Sequence, residues 1–253
     1  MAYDLQKASL WKRFAAWLFD SILVGILAVG VAFALSAVFH YNQYSDCISE
    51  TYARYEAEYG VVFDVSQEEY QSWPEEKRQT YDLAYQKLTG DKEAMHAYNM
   101  VVNLTMVITS LSVLIAVVAL EFVIPMILKD GKTLGKKAFG LCVVRLDCVK
   151  MNTMQLFVRS VLGKFTIETM IPLYIILMLC LGIADLSGTL ILGALLLAEL
   201  IALIVTRRNA AIHDLLAGTA VVDYASQMIF GSSEELIEFQ KKVHAERAAQ
   251  QPY

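Results

Sequence analysis

Four stretches of this chain stay apolar long enough to cross a bilayer, whose hydrocarbon core of about 30 Å takes on the order of 20 helical residues. They are residues 14–39 (FAAWLFDSILVGILAVGVAFALSAVF), 101–128, 165–183 and 189–206. Runs this long and this poor in charge do not read as core helices of a soluble protein. In the first, Ala34-Leu35-Ser36 resembles a signal cleavage site. Its apolar length nevertheless exceeds the roughly 7–15 residues of a secretory signal, so a retained helix is expected.

The segments between these runs are patterned too. Ser66-x-x-Glu69 and Ser72-x-x-Glu75 have capping-box spacing, the second with Pro74 in its first turn. They predict a helix over residues 73–88 that stops at Gly90. Tyr52, Tyr55 and Tyr59 share a helical face, which extends the first apolar helix outward. Residues 140–146 (GLCVVRL) and 219–222 (TAVV) are short and β-rich. Two lone strands on one side of a membrane would pair, because each alone leaves its backbone groups unmet. Thr153 has the position of an N-cap for an amphipathic helix with Leu156, Phe157, Val161 and Leu162 on one side. Arg159 and Lys164 form the polar side, placing this helix at the interface before the third span. Residues 232–251 open Ser-Ser-Glu-Glu, stay charged, and read as a solvated helix or a loose tail.

Charge sets the orientation. Residues 40–99 hold 5 Lys/Arg against 12 Asp/Glu, whereas residues 129–164 hold 8 Lys/Arg against 2 Asp. Lys12-Arg13 precede the first span and Arg207-Arg208 follow the fourth. Basic residues favour the cytoplasmic side, and all three basic clusters lie there only with an even number of spans. The expected fold is an all-α polytopic membrane protein of four transmembrane helices with both termini cytoplasmic. It carries an extracytoplasmic helical hairpin over residues 41–99, a small cytoplasmic two-stranded sheet, and a cytoplasmic tail over residues 225–253. A net charge of −5 excludes the usual nucleic-acid binder. Four cysteines without a CxxC give neither a disulfide scaffold nor zinc-ligand spacing. Cys47 is the sole cysteine on the outer side, so no intramolecular disulfide is expected there. Nine of the 13 tyrosines fall between residues 41 and 98. Two readings of them stay open: a partner-binding surface, or rings that pack the hairpin on itself with a belt at the membrane interface.

Ionisable groups in hydrocarbon are costly and mark function or pairing. Asp20 follows Arg13 by seven residues, two turns along nearly the same face. Glu121 lies in the last third of the second span, Glu168 near the start of the third, and Glu199 in the second half of the fourth. Asp20, Glu121 and Glu199 stand seven to eight residues from the basic clusters, at a shared depth. Facing a bundle interior, such carboxylates can bind a cation or carry a proton. The alternative is a packing network with Arg13, Arg159, Lys164 or Arg207 as partners. No G-x-S-x-G, H-E-x-x-H or histidine cluster occurs, so no enzyme, metal or cofactor is expected. His213-Asp214 read as a helix end, with Asp214 reaching Arg207 or Lys136.

Three segments carry a resemblance. Lys12-Arg13-Phe14-Ala15-Ala16-Trp17-Leu18-Phe19-Asp20, Gly131-Lys132-Thr133-Leu134-Gly135-Lys136-Lys137-Ala138-Phe139-Gly140-Leu141, and Arg207-Arg208 through His213-Asp214-Leu215-Leu216-Ala217-Gly218-Thr219 occur in this order. They resemble the opening, the G-x-T-x-G-K-x-x-x-G-L segment and the closing R-x-x-H-D-x-x-A-G-T run of the RDD family of bacterial membrane proteins. The similarity spans most of residues 10–224. Its eponymous arginine and two aspartates match Arg13, Asp20 and Asp214, and Arg159 stands where the family places an arginine. Two departures are a longer outer segment and Cys148-Val149 in place of a glycine after Asp147. Gly131-Lys132-Thr133 lacks the spacing of a nucleotide-binding loop. The resemblance implies a cell-membrane protein in a largely unassigned family, with transport suggested and cation/proton antiport proposed for some members. Others carry the domain as an accessory part of membrane machinery. On the transport reading Arg13, Asp20, Glu121, Glu199 and Asp214 are the candidate residues, supported by Lys136, Arg159, Arg207 and His213. The expected partners are the lipid bilayer, a second copy of the chain, and a protein docked on the outer hairpin.

Overall fold

A computed structural model describes residues 5–128, 131–180 and 186–250. Four helices are long and apolar enough to cross a membrane: α1 (Leu10–Val38), α5 (Lys92–Leu128), α7 (Thr153–Cys180) and α8 (Leu186–Val205). Between and beyond them lie α2 (Tyr41–Tyr59), α3 (Gln67–Ser72), α4 (Glu75–Gly90), α6 (Leu134–Ala138), α9 (Ile212–Ala217) and α10 (Ser233–Gln250). The four long helices turn apolar side chains outward: Trp11 is 81% exposed, Phe33 75% and Val205 74%. Such a surface is consistent with association with a lipid bilayer, whose tails are as apolar as these side chains.

Several boundaries differ from the sequence expectation. The first helix does not run on through the tyrosines, because His40 takes a left-handed φ of 54° and separates α1 from α2. Ser66 does cap α3, accepting from the Glu69 amide at 3.1 Å. Ser72 instead closes α3, donating to the Glu69 carbonyl, and Pro74 leads into α4, which begins two residues later than expected. Asn152 rather than Thr153 caps α7, with Gln155 completing a capping box. The amphipathic stretch expected as a separate interfacial helix is continuous with the third span. The last residues expected in that span, 181–183, lie outside the described residues.

The chain divides into two compact units. One comprises residues up to Ala28 and from Val113 onward. Its centre is the expected strand pair, β1 (Leu141–Arg145) antiparallel to β2 (Thr219–Asp223), in register Leu141↔Asp223 to Arg145↔Thr219. Alternation sends Leu141, Val143 and Val221 to one face against Ala8, Ala16 and Met151. Cys142, Val144 and Val222 occupy the other face with Leu5 and Ile229. Both edges are covered, as short sheets require. The Ala8 amide donates to Val221 and the Asp223 amide to Gln6. Beyond β1 the chain turns back through Cys148, whose φ of 65° fills the role of the missing glycine, and Lys150 bridges Val144. The charged tail is the helix α10, docked by Leu236 and Phe239 on Cys148, Val149 and Phe230.

The second unit, Val29–Ser112, is built round aromatic rings. Phe63 lies 5.5 Å from Tyr52 and 5.7 Å from Tyr81, centroid to centroid, and Tyr70, Trp73 and Tyr81 pack mutually. Asp91 starts α5 by accepting from the Ala94 and Glu93 amides, and also pairs with Arg54 at 3.0 Å. The Ala94 amide bond leads the causes that hold its carboxyl below the usual range.

Phe230, 4% exposed, is the anchor of α10. Phe230→Ala should cost about 3 kcal/mol, read as a lower melting temperature in detergent with early proteolysis inside α10.

Candidate functional site

The third span departs from α-helical geometry where its charged residues sit. Val158–Met170 is π-helical, with backbone bonds reaching one residue further than in an α-helix. The Thr166 and Thr169 hydroxyls accordingly donate to carbonyls five residues back, Val161 and Lys164. Arg159 and Glu168 are nine residues apart, about two and a half turns of an α-helix, hence opposite faces. In the wider coil they are about two turns apart, at roughly 4.4 residues per turn, and both reach α9. Lys164, between them, reaches Glu121, itself buried in a shorter π-helical segment of α5, Val118–Val123.

Asp214 on α9 is fully buried and lies between two guanidiniums. Arg159 Nη1 donates to one carboxylate oxygen and Arg13 Nη2 to the other at 3.1 Å, while Thr219 Oγ1 donates at 3.1 Å. Against the cost of burial, Arg159 and Arg13 hold the Asp214 carboxyl well below the usual range. Arg13 also donates to the carbonyls of Asn209 and Arg208. Arg13 and Asp20 therefore follow each other along α1 but serve different partners. Asp214 meets neither Arg207 nor Lys136, the partners expected from sequence, because Arg13 and Arg159 occupy its two oxygens; Arg207 stands exposed with no ion pair among the described residues.

His213 bridges the same arginine to Glu168. Its Nε2 lies 3.0 Å from Arg159 Nη2, and its Nδ1 lies 2.7 Å from Glu168 Oε2. A guanidinium only donates, so Nε2 accepts and Nδ1 carries the proton given to Glu168. Burial, then the Arg159 charge, push the His213 pKa down, which keeps the ring neutral. The fit is tight: a Cβ on Gly163 would fall 2.6 Å from His213 Cβ.

Asp20 occupies a second pocket of donors. It accepts from the Thr133 hydroxyl and, at 2.7 Å, from the Gly135 amide at the start of α6. A side chain at Gly135 would clash with the Ala16 carbonyl and Asp20 Cγ, so this glycine permits the approach. Lys136 Nζ donates to the same Thr133 hydroxyl at 3.3 Å. Burial pulls the Lys136 pKa down to about 8, with Glu121 opposing and Arg159 adding to the shift.

Glu199 completes the cluster differently. Its carboxylate accepts from the Ile212 amide at 3.1 Å, next to the His213 amide that donates to Glu168. No cationic nitrogen lies within 4 Å of Glu199 among the described residues. Arg13, Lys136, Arg159 and Lys164 thus face five carboxylates: Asp20, Glu121, Glu168, Glu199 and Asp214. With His213 neutral and all five carboxylates ionised, the cluster would hold one negative charge more than its cations balance. No buried side-chain nitrogen or oxygen is left without a hydrogen bond, and no metal-ligating group of three occurs, among the described residues.

The RDD family matches residues 7–218, most of the chain. The chain belongs to the RDD family. No curated protein and no solved structure matches it. In this RDD protein Arg13 and Asp214 pair directly, whereas Asp20 holds the Thr133–Gly135 turn. Thr133 and Thr219 stand in the sequence only as members of the middle and closing motifs, with no role assigned to them. Nothing in the apolar pattern marks the π turn on which Gly163 lies.

Asp214→Asn leaves Arg159 and Arg13 without a counter-charge and should destabilise the protein by about 3–5 kcal/mol, measured by thermal unfolding in detergent. Lys136 has a folded pKa of about 8 against an ordinary 10.5. Between these values the unfolded chain binds more protons, so this group makes stability rise with pH across that window. Melting temperatures of the wild type and Lys136→Met compared over the window should show that slope lost in the variant.

Proposed function

We propose that this RDD protein exchanges a proton for a monovalent cation across the membrane, through the carboxylate that its buried cluster leaves unbalanced. The observation that carries this reading is Glu199, half-buried beside Glu168 and held by one backbone amide with no cation against it. A carboxylate held partly out of water beside another is stabilised by neutralisation, either by a proton or by a small cation. Occupation by one excludes the other, which is the elementary requirement of exchange. Glu168, with the Nδ1 proton of His213 already donated to it, extends the route by which a proton leaves or arrives. Asp214 with Arg13 and Arg159, and Asp20 with Thr133, hold the elements in place in this scheme.

The reading assigns the protein no catalytic chemistry and no cofactor. It places both termini and the basic 129–164 segment in the cytoplasm and the acidic 41–99 segment outside, following the distribution of Lys and Arg. Four spans enclose little space, so the pathway belongs to a dimer or larger assembly. The accessory reading, in which a partner docks outside, is favoured by the half-exposed tyrosines of the second unit.

Proteoliposomes carrying the wild type should acidify or alkalinise on a sodium or potassium jump, and Glu199→Gln should lose this coupling while staying folded. Unchanged cation-dependent proton movement in Glu199→Gln and Glu168→Gln would refute the mechanism. Protease added to intact cells should cut at Arg54 or Lys77 and spare Lys136; the reverse pattern inverts the orientation.

A further inference from the structure

The second unit keeps some of its rings out of its own core. Phe63, Tyr70, Trp73 and Tyr81 pack together, but Tyr52, Tyr85 and Tyr98 remain 37%, 51% and 43% exposed. These three come from different helices, α2, α4 and α5, and the first two converge on Phe63. Tyr52 and Tyr85 flank Phe63 at 5.5 and 6.4 Å, and Tyr85 stacks on Tyr81 with the planes 6° apart. Burial first, then the phenols of Tyr85 and Tyr98, push the Tyr52 pKa up. Phenols half-open to solvent and fixed from behind by a ring cluster have little rotamer freedom to lose on binding, the property that makes tyrosine common in contact surfaces.

The charge round this face indicates what it meets. Residues 29–112 contain 12 Asp/Glu and 5 Lys/Arg. Three of the five cations are already engaged within the unit: Arg54 with Asp91, Lys77 over the Trp73 ring at 3.8 Å, and Arg78 with Glu75. Glu56 and Asp82 lie one helical turn from Tyr52 and Tyr85 respectively. An anionic lipid surface would be repelled, whereas cationic side chains are drawn by the carboxylates and held over the ring faces. Lys77 on Trp73 and Arg54 on Tyr55 already show that contact within the unit.

We propose that the face formed by Tyr52, Tyr85 and Tyr98 docks a Lys- or Arg-rich segment of a partner protein. The proposal does not depend on ion exchange at Glu199. Its test uses the whole protein in zwitterionic nanodiscs and short fluorescent peptides of alternating Arg and Ser, with Glu-Ser and Gly-Ser peptides as comparisons. The Arg-Ser peptide should bind the wild type selectively. The Tyr85→Ser/Tyr98→Ser double variant, whose net charge is unchanged, should bind about tenfold more weakly. The Tyr85→Phe/Tyr98→Phe variant keeps the ring faces and should bind as the wild type does. Absence of binding, equal binding by the Ser variant, or equal binding of the Gly-Ser peptide would overturn the proposal. So would loss of a dimer in the Ser variant, which makes the occupant a second copy. Quenching of Trp73 by brominated lipid in a Trp11→Phe/Trp17→Phe background would also overturn it, because the rings would then lie in the bilayer.

Discussion

The Asp214 carboxylate, fully buried between Arg159 and Arg13, is the contact on which the rest of the first unit depends. Taking an ion out of water costs several kcal/mol even after relaxation, and only close opposite charges with further hydrogen bonds offset it. Satisfying one carboxylate here requires α1, α7 and α9 to meet, because the two arginines come from the first two and the aspartate from the third. Gly218, in a left-handed turn at φ 63°, then leads directly from α9 into β2. Thr219 at the start of that strand bonds both Asp214 and Arg159. The ion pair and the small sheet are therefore one construction, and Ala16 on α1 closes it from the sheet's apolar side.

The π-helical turns explain how apolar helices supply so many charges to one place. A regular helix would send Arg159 and Glu168 to opposite sides, leaving one of them facing lipid at a cost of about 2.5–3.5 kcal/mol on insertion scales. Widening the coil directs both to α9, and the threonines at 166 and 169 follow the altered period with their hydroxyl bonds. Glu121 sits in a similar widening and receives Lys164. The helix gives up regular geometry where buried charges require it and keeps it elsewhere.

The second unit is held by different physics. Stacked and edge-on rings, small buried residues such as Ala84 and Ala97, and surface ion pairs replace the buried charges of the first. Its carboxylates remain largely in water, where pairing contributes little to stability. This leaves its surface free to carry a strong negative charge and a set of half-open phenols without penalty to its own folding.

Much of this protein was legible in its sequence. The four spans, the pairing of residues 141–145 with 219–223, and the caps near Ser66 and Asn152 follow from length, periodicity and local hydrogen bonding, which act over a few residues at a time. The helix break at His40 lies inside an otherwise helical pattern and is not marked by it, and Cys148 takes a left-handed φ for which glycine is the ordinary choice. The candidate site was visible as a list of charges but not as a set of pairs. Sequence placed Arg13 beside Asp20, as helical spacing requires, and assigned Asp214 to Arg207 or Lys136. Tertiary structure joined Arg13 and Arg159 to Asp214 across 201 and 55 residues of sequence, and left Arg207 outside. Which charge neutralises which is decided by desolvation in a shared interior, and that depends on how whole helices pack and where one of them widens.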